Sequence, residues 1–76
     1  MSDKTVMVQH VIYDSPADFP GRFVVRRWLI GRGGSVTPSF ITLANSLEKA
    51  RQAIPQGLDR IPRSPGDEQQ IVETWL

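Results

Sequence analysis

Hydrophobic and polar positions along the chain divide into two strongly β-type runs, a narrow helical stripe and a third, shorter alternating run at the end. Thr5 to Tyr13 (Thr-Val-Met-Val-Gln-His-Val-Ile-Tyr) is rich in β-branched and aromatic residues that suit a pleated surface, and predicts a first strand. Asp14 to Gly21 follows with two prolines, two aspartates and a glycine, a composition that favours turns over pairing. Phe23 to Ile30 is the strongest strand signal. Side chains alternate across a strand, so one face carries Phe23, Val25, Arg27 and Leu29 and the other Val24, Arg26, Trp28 and Ile30. Both faces are mostly apolar, as expected of a central strand or of one whose second face is covered.

Gly31-Arg-Gly-Gly-Ser35 breaks the pattern and predicts a hairpin tip leading into Val36 to Leu43, which Pro38 confines to an edge. A helix is predicted from Asn45 as N-cap, with Glu48 three residues on completing a capping box. Leu47, Ala50 and Ile54 recur at helical spacing, and Pro55 and Gly57 end the run. Two to three turns of helix do not persist alone in water, so this one must pack on a sheet. Leu58 to Ile61 predicts a short strand closed by Pro62. Gln70 to Leu76 then alternates Ile71, Glu73 and Trp75 against Val72, Thr74 and Leu76, a final strand; a helix from Asp67, with its acidic first turn, is the rival reading. The predicted class is α+β: a small antiparallel or mixed sheet of about four strands with one α-helix packed on one face.

A chain of 76 residues supports one hydrophobic core, so residues 1–76 are read as a single domain. A core of that size leaves marginal stability unless something outside the chain adds to it, and self-association is one source. Cysteine is absent, which removes disulfides and thiolate metal sites and points to a reducing compartment, hence a cytoplasmic setting. Met1 to Thr5 is polar and lacks the features of a signal peptide, and no apolar run reaches membrane-spanning length, so no membrane partner is expected. The net charge of +1 does not advertise a nucleic-acid binder, but its distribution is uneven: seven of nine cations are Arg, with Arg22, Arg26, Arg27 and Arg32 in one stretch.

Several of these segments together, Tyr13-Asp-Ser-Pro-Ala-Asp-Phe-Pro, Phe23-Val-Val-Arg-Arg-Trp, Ser46-Leu-Glu-Lys-Ala-Arg, Ile54-Pro and Ile71-Val-Glu-Thr-Trp-Leu76, resemble a group of small uncharacterised proteins from bacteria and their phages. The resemblance runs over nearly the whole length. It implies a bacterial or prophage source and a cytoplasmic setting, and brings no activity, cofactor or site residue with it.

Candidate chemistry is thin. His10 is the only histidine and sits inside an apolar strand, where a structural imidazole is the better reading than a catalyst or metal ligand. Ser15, His10 and Asp14 could supply the members of a triad, but their spacing builds neither a nucleophile elbow nor an oxyanion hole. Asp14 and Asp18 flank Pro16 and fit backbone-bonded turn residues better than a cation site. Gly31-Arg-Gly-Gly lacks the Lys-Ser or Lys-Thr of a phosphate loop. No enzyme, metal or cofactor is therefore expected.

Two arginines in one apolar strand place one guanidinium on each face; the structural reading has one reaching past the sheet edge and the other pairing with Glu73 or another acid. The functional reading makes Arg22, either Arg26 or Arg27, and Arg32, with Arg60 and Arg63 as further candidates, an anion-binding surface with Trp28 or Phe23 as a stacking platform. Trp28 and Trp75 are candidates for interface anchors, since Trp and Arg dominate interaction hot spots. The expected function is thus a non-enzymatic protein interaction module, self-associating or binding a partner through a sheet face or the exposed edge of the C-terminal strand. The candidate interaction residues are Arg22, Arg26, Arg27, Trp28, Arg32 and Trp75. A regulator binding nucleic acid or a phosphate ligand through Arg22 to Arg32 is the alternative.

Overall fold

A computed structural model describes residues 5–76. Met1 to Lys4, read above as a polar lead-in, lie outside the described residues. The chain forms β1 (Thr5–Asp14), β2 (Phe23–Gly31), β3 (Val36–Ala44), α1 (Leu47–Gln52), β4 (Arg60–Pro62) and β5 (Ile71–Trp75). All five strands join one sheet in the order β3-β2-β1-β5-β4, and every neighbouring pair is antiparallel. The α+β class with one helix on one face holds. The sheet has five strands rather than about four, because Val36 to Ala44 pairs along its whole length in spite of Pro38, which an edge position tolerates.

Topology decides which face of the sheet is covered. Strands β1 to β3 follow one another through short hairpins, and β4 and β5 form a further antiparallel pair. The link from β3 to β4 is different, because those strands are the two edges of the sheet. Residues 45–59 must therefore cross a face about 19 Å wide, four strand spacings. The helix rides on that crossover and packs on β2 and β3. A single crossover covers a single face.

Beneath it lies a core of Ile12, Val25, Ala44 and Ala50, with Phe23, Ile41, Leu47, Ala53, Ile54, Val72 and Trp75 packed around it. Ala50 is fully buried, and its small side chain lets the helix lie close on the strands. The N-cap is Ser46, whose Oγ accepts from the backbone N–H of Lys49 at 3.2 Å, not Asn45. β3 continues to Ala44, so the chain leaves the sheet one residue later than the sequence pattern suggests, and Ser46 is the residue that keeps extended geometry (φ −150°, ψ 160°). Glu48 then falls one position too early to complete a capping box and serves only as a first-turn acid.

The C-terminal segment is a strand, so the helical rival fails. It is not an edge. β5 lies between β1 and β4, which corrects the expectation of an exposed C-terminal edge. Leu76 also exchanges backbone hydrogen bonds with Asp59 at 2.9 and 3.1 Å, extending the ladder beyond β5. The simple alternation predicted for Ile71 to Leu76 is broken by an irregularity where Ile12 and Tyr13 of β1 face β5. Ile71 opposes Tyr13 and packs with it, while Val72 and Trp75 pack with Ile12 on the helix side.

Candidate functional site

The face away from the helix carries a second cluster, Val11, Tyr13 and Val24, with Phe19, Trp28, Leu43 and Ile71 against it. No element among the described residues crosses this face. Its only lid is local: in the Asp14–Gly21 loop, backbone bonds from Phe19 N to Pro16 O (2.9 Å) and from Ser15 N to Arg22 O (2.8 Å) fold the turn back. Gly21, at φ 75°, takes a left-handed conformation that favours glycine. Phe19 is thereby laid on the sheet, with its ring centroid 5.9 Å from that of Phe40 on β3.

Beyond Phe19 the face opens into a shallow groove of ≈ 430 Å³. Val11 and Tyr13 come from β1, Trp28 and Ile30 from β2, Val36 from β3, Ile61 from β4, and Ile71 and Leu76 from the C-terminal segment. The floor is held by polar contacts at its margin. Trp28 Nε1 donates to Tyr13 Oη at 3.2 Å, and the Arg26 guanidinium lies 5.2 Å from the centroid of the Tyr13 ring. Arg26 also pairs with Asp18. Asp67 is the one charged residue lining the groove, and its carboxylate accepts from the backbone N–H of Ser64 at 2.9 Å.

Six large hydrophobic residues are exposed among the described residues: Met7, Val8, Val36, Phe40, Ile61 and Leu76. Register places five of them on the open face: Met7 opposite Ile30, Val36 opposite Ile30, Phe40 opposite Arg26, and Ile61 and Leu76 in the groove wall; Val8, opposite Leu29, is the exception. Scattered exposed apolar residues are ordinary on a protein surface, but this concentration on one sheet face is not.

The six residues singled out from sequence are split by the fold. Trp28 lines the groove. Arg26 shares its face and pairs with an acid as expected of one β2 arginine, but that acid is Asp18 of the β1–β2 loop and not Glu73 or another strand residue. Arg27 and Trp75 lie on the helix side, opposite His10 on its two flanks. Arg22 and Arg32 bracket the nine-residue β2, about 30 Å apart by strand rise. Arg22 borders a cleft of ≈ 480 Å³ beside the helix with Lys49, and Arg32 is exposed at the hairpin tip. Arg60 lies 3.9 Å from Glu73, and Arg63 caps the carbonyls of Asp67 and Glu68. These cations do not converge. Tyr13, Val36, Phe40 and Ile61 were absent from the sequence candidates; the signal for them was the doubly apolar character of β2.

On the helix side, Glu73 is 1% exposed and receives two bonds from Arg51, Nε to Oε2 at 2.9 Å and Nη2 to Oε1 at 2.8 Å. Trp75 Nε1 adds a third at 2.8 Å. The Arg51 hydrogen bonds hold the Glu73 carboxyl below its ordinary range against the opposing effect of burial, with Trp75 and the charges of Arg51 and Arg60 adding to the lowering. This is a bidentate clamp between helix and sheet.

His10 is buried in mid-sheet, and its Nδ1, like Nε of Arg27 across the strand pair, has no hydrogen-bond partner among the described residues. Burial, helped by the Arg27 charge, lowers its pKa. Ser15 donates to Asp14 at 2.9 Å and not to His10, so no triad assembles from these three. Among the described residues no group of three or more His, Cys, Asp or Glu is placed to hold a metal ion, and no helix is long and apolar enough to cross a membrane.

The lowered His10 value sets a stability prediction. The unfolded imidazole takes a proton at about pH 6.5, more readily than the folded one. The unfolded state therefore gains protons first, and the His10 contribution, complete above that pH, is lost as pH falls through the folded value. Thermal midpoints should begin to fall as pH drops below about 6.5 in the wild type and be flatter there in His10→Gln. An equal slope in both would remove His10 as the cause.

Compared with known protein families, curated proteins and solved structures, the chain matches none. The reading of its function rests on this geometry.

Proposed function

We propose that the chain is a non-enzymatic protein interaction module whose contact surface is the uncovered face of its sheet. The observation that carries this is the gathering of Met7, Val36, Phe40, Ile61 and Leu76 on the face that no strand or helix of the described residues crosses. Contact cores are poor in charge and rich in aromatic and Met side chains, and this face has Trp28, Tyr13 and Phe40 with one charged residue in its groove. The strand edges suit the role less well. Pro38 interrupts the donor row of β3, and β4 is three residues long and ends in Pro62, the devices by which sheets discourage strand addition. The separated arginines support a phosphate-binding reading less, because affinity for a phosphate backbone grows with cations acting together.

The test compares three immobilised forms of the protein for what they retain from a lysate of the source cells. Phe40→Glu with Ile61→Glu should lose a protein that the wild type holds, while Arg22→Ala with Arg32→Ala should keep it. Retention lost in the arginine variant and kept in the groove variant, or salt-sensitive retention of oligonucleotide alone, would reverse the proposal in favour of the basic stretch.

A further inference from the structure

We infer that the occupant of the open face is a second copy of the same chain, the two sheets packing face to face about a two-fold axis. This rests on the reading of the open face as a contact surface and names its partner.

Area is the first support. Seven residues each of β1, β2 and β3, the five of β5 and the three of β4, at about 4.8 Å spacing and about 3.3 Å rise, give a footprint of about 460 Å² per copy, or about 900 Å² for two, part of it already under Phe19 and before corrugation by side chains is counted. That approaches the size of a specific interface. Two sheets stacked in this way form a sandwich about 10 Å thick. The helix side already has its second layer; the open side lacks one, and an identical sheet is a second layer of the same width.

Charge is the second support. A surface recognising a charged partner would carry the opposite charge in its middle, and this face carries little there: Arg26 is paired with Asp18, Asp67 is turned to the backbone of Ser64, and Glu68 stands at the margin beside Tyr13 and Arg26. A neutral apolar face is complementary to itself. In an isologous contact each residue meets the same surface from both sides, so self-compatibility is the requirement, and a net charge of +1 per copy adds little repulsion.

Closure is the third. Prolines on β3 and β4 discourage open-ended edge pairing, so association through the face ends at two copies instead of growing into a fibre.

The two tryptophans provide an internal control, because Trp28 lines the groove and Trp75 lies under the helix layer on the other side. Sedimentation of the full chain over a wide concentration range should show a monomer–dimer equilibrium. Over the same range the emission of Trp28, read in Trp75→Phe, should shift to the blue with association. Trp75 emission, read in Trp28→Phe at concentrations where sedimentation shows that variant dimeric, should stay constant. Phe40→Glu should weaken the dimer on the order of 100-fold, since a two-fold interface places the substitution twice. Val8→Glu, on the other face, should leave the dimer intact, and circular dichroism of both variants establishes that they fold.

A chain monomeric at every soluble concentration would overturn the inference, as would a dimer that survives Phe40→Glu or that shifts Trp75 instead of Trp28. A monomer that still retains a different protein through Phe40 and Ile61 would overturn only the second copy and leave the interaction module standing. A monomer that retains nothing through this face would remove both.

Discussion

Removal of Thr74, Trp75 and Leu76 unfolds the protein. Chain ends are ordinarily frayed and tolerant, but this one is built into the sheet. β5 lies between β1 and β4, and Arg60 and Ile61 of β4 find their partners at Trp75 and Thr74. The deletion leaves β4 a single paired position, Pro62 opposite Glu73, and takes away the Asp59–Leu76 backbone bonds that extend the ladder. It also strips Trp75 from the cluster around Ile12 and with it one of the donors to buried Glu73. A half-buried tryptophan and a leucine together contribute roughly 2–4 kcal/mol at the usual value per apolar side chain. A domain of this size has only about 4–11 kcal/mol of net stability. Circular dichroism of the truncated chain should show no cooperative melt at a temperature where the full chain is folded. A melt unchanged from the full chain would make β5 peripheral and take the groove wall formed by Leu76 with it.

Arg51→Ala produces the second large loss. Glu73 is nearly inaccessible to solvent, and its charge is tolerated there because Arg51 satisfies both carboxylate oxygens and Trp75 one of them. Without Arg51 the carboxylate keeps Trp75 and a distant Arg60, and a buried charge short of partners is among the costliest defects a core can carry. Glu73→Gln should be milder, because the amide oxygen still accepts from Trp75 or Arg51, and Arg51, about half exposed, remains hydrated.

The two variants also separate by pH. Glu73 has a folded value below its unfolded one, so its contribution is full above the ordinary carboxylate range and is lost as pH falls through the folded value. That acid loss should be present in the wild type, well below the His10 window, and absent in Glu73→Gln. Denaturant midpoints across acidic pH provide the measurement; a Glu73→Gln protein less stable than Arg51→Ala would show that the carboxylate's hydrogen bonds, and not its buried charge, dominate.

Much of the fold was legible in local pattern. The alternation of Phe23 to Ile30 assigned each side chain to its observed face, and the glycine-rich Gly31–Ser35 marked the hairpin, closed by Gly31 N to Ser35 O at 2.8 Å with Gly34 at φ 85°. The candidate site was legible only in part. Arginine and tryptophan drew attention by residue type, yet Arg22 and Arg32 stand at opposite ends of β2, while Trp75 and Arg27 lie on the far face from Trp28. Val36, Phe40 and Ile61 are unremarkable in sequence and matter because distant strands bring them to one side.

What the sequence by itself determined is therefore local: which segments are strands, where the chain turns, that one short helix must lean on a sheet, and that β2 is apolar on both faces. Periodicity and turn chemistry act over a few residues, and those properties need no more. Strand order was decided by the tertiary structure alone. Placing β3 and β4 at opposite edges sends the helical crossover over one face and leaves the other with only the Phe19 loop upon it among the described residues, and inserting β5 between β1 and β4 turns an apparent chain end into an interior strand. The irregularity opposite Ile12 and Tyr13 then moves Ile71 to the open side, and the arrival of Arg51 over β5 gives Glu73 its partner. Apart from the β4–β5 ladder, each of these pairs residues 20 or more positions apart, where no local preference reaches and only the competition among whole packings selects the outcome.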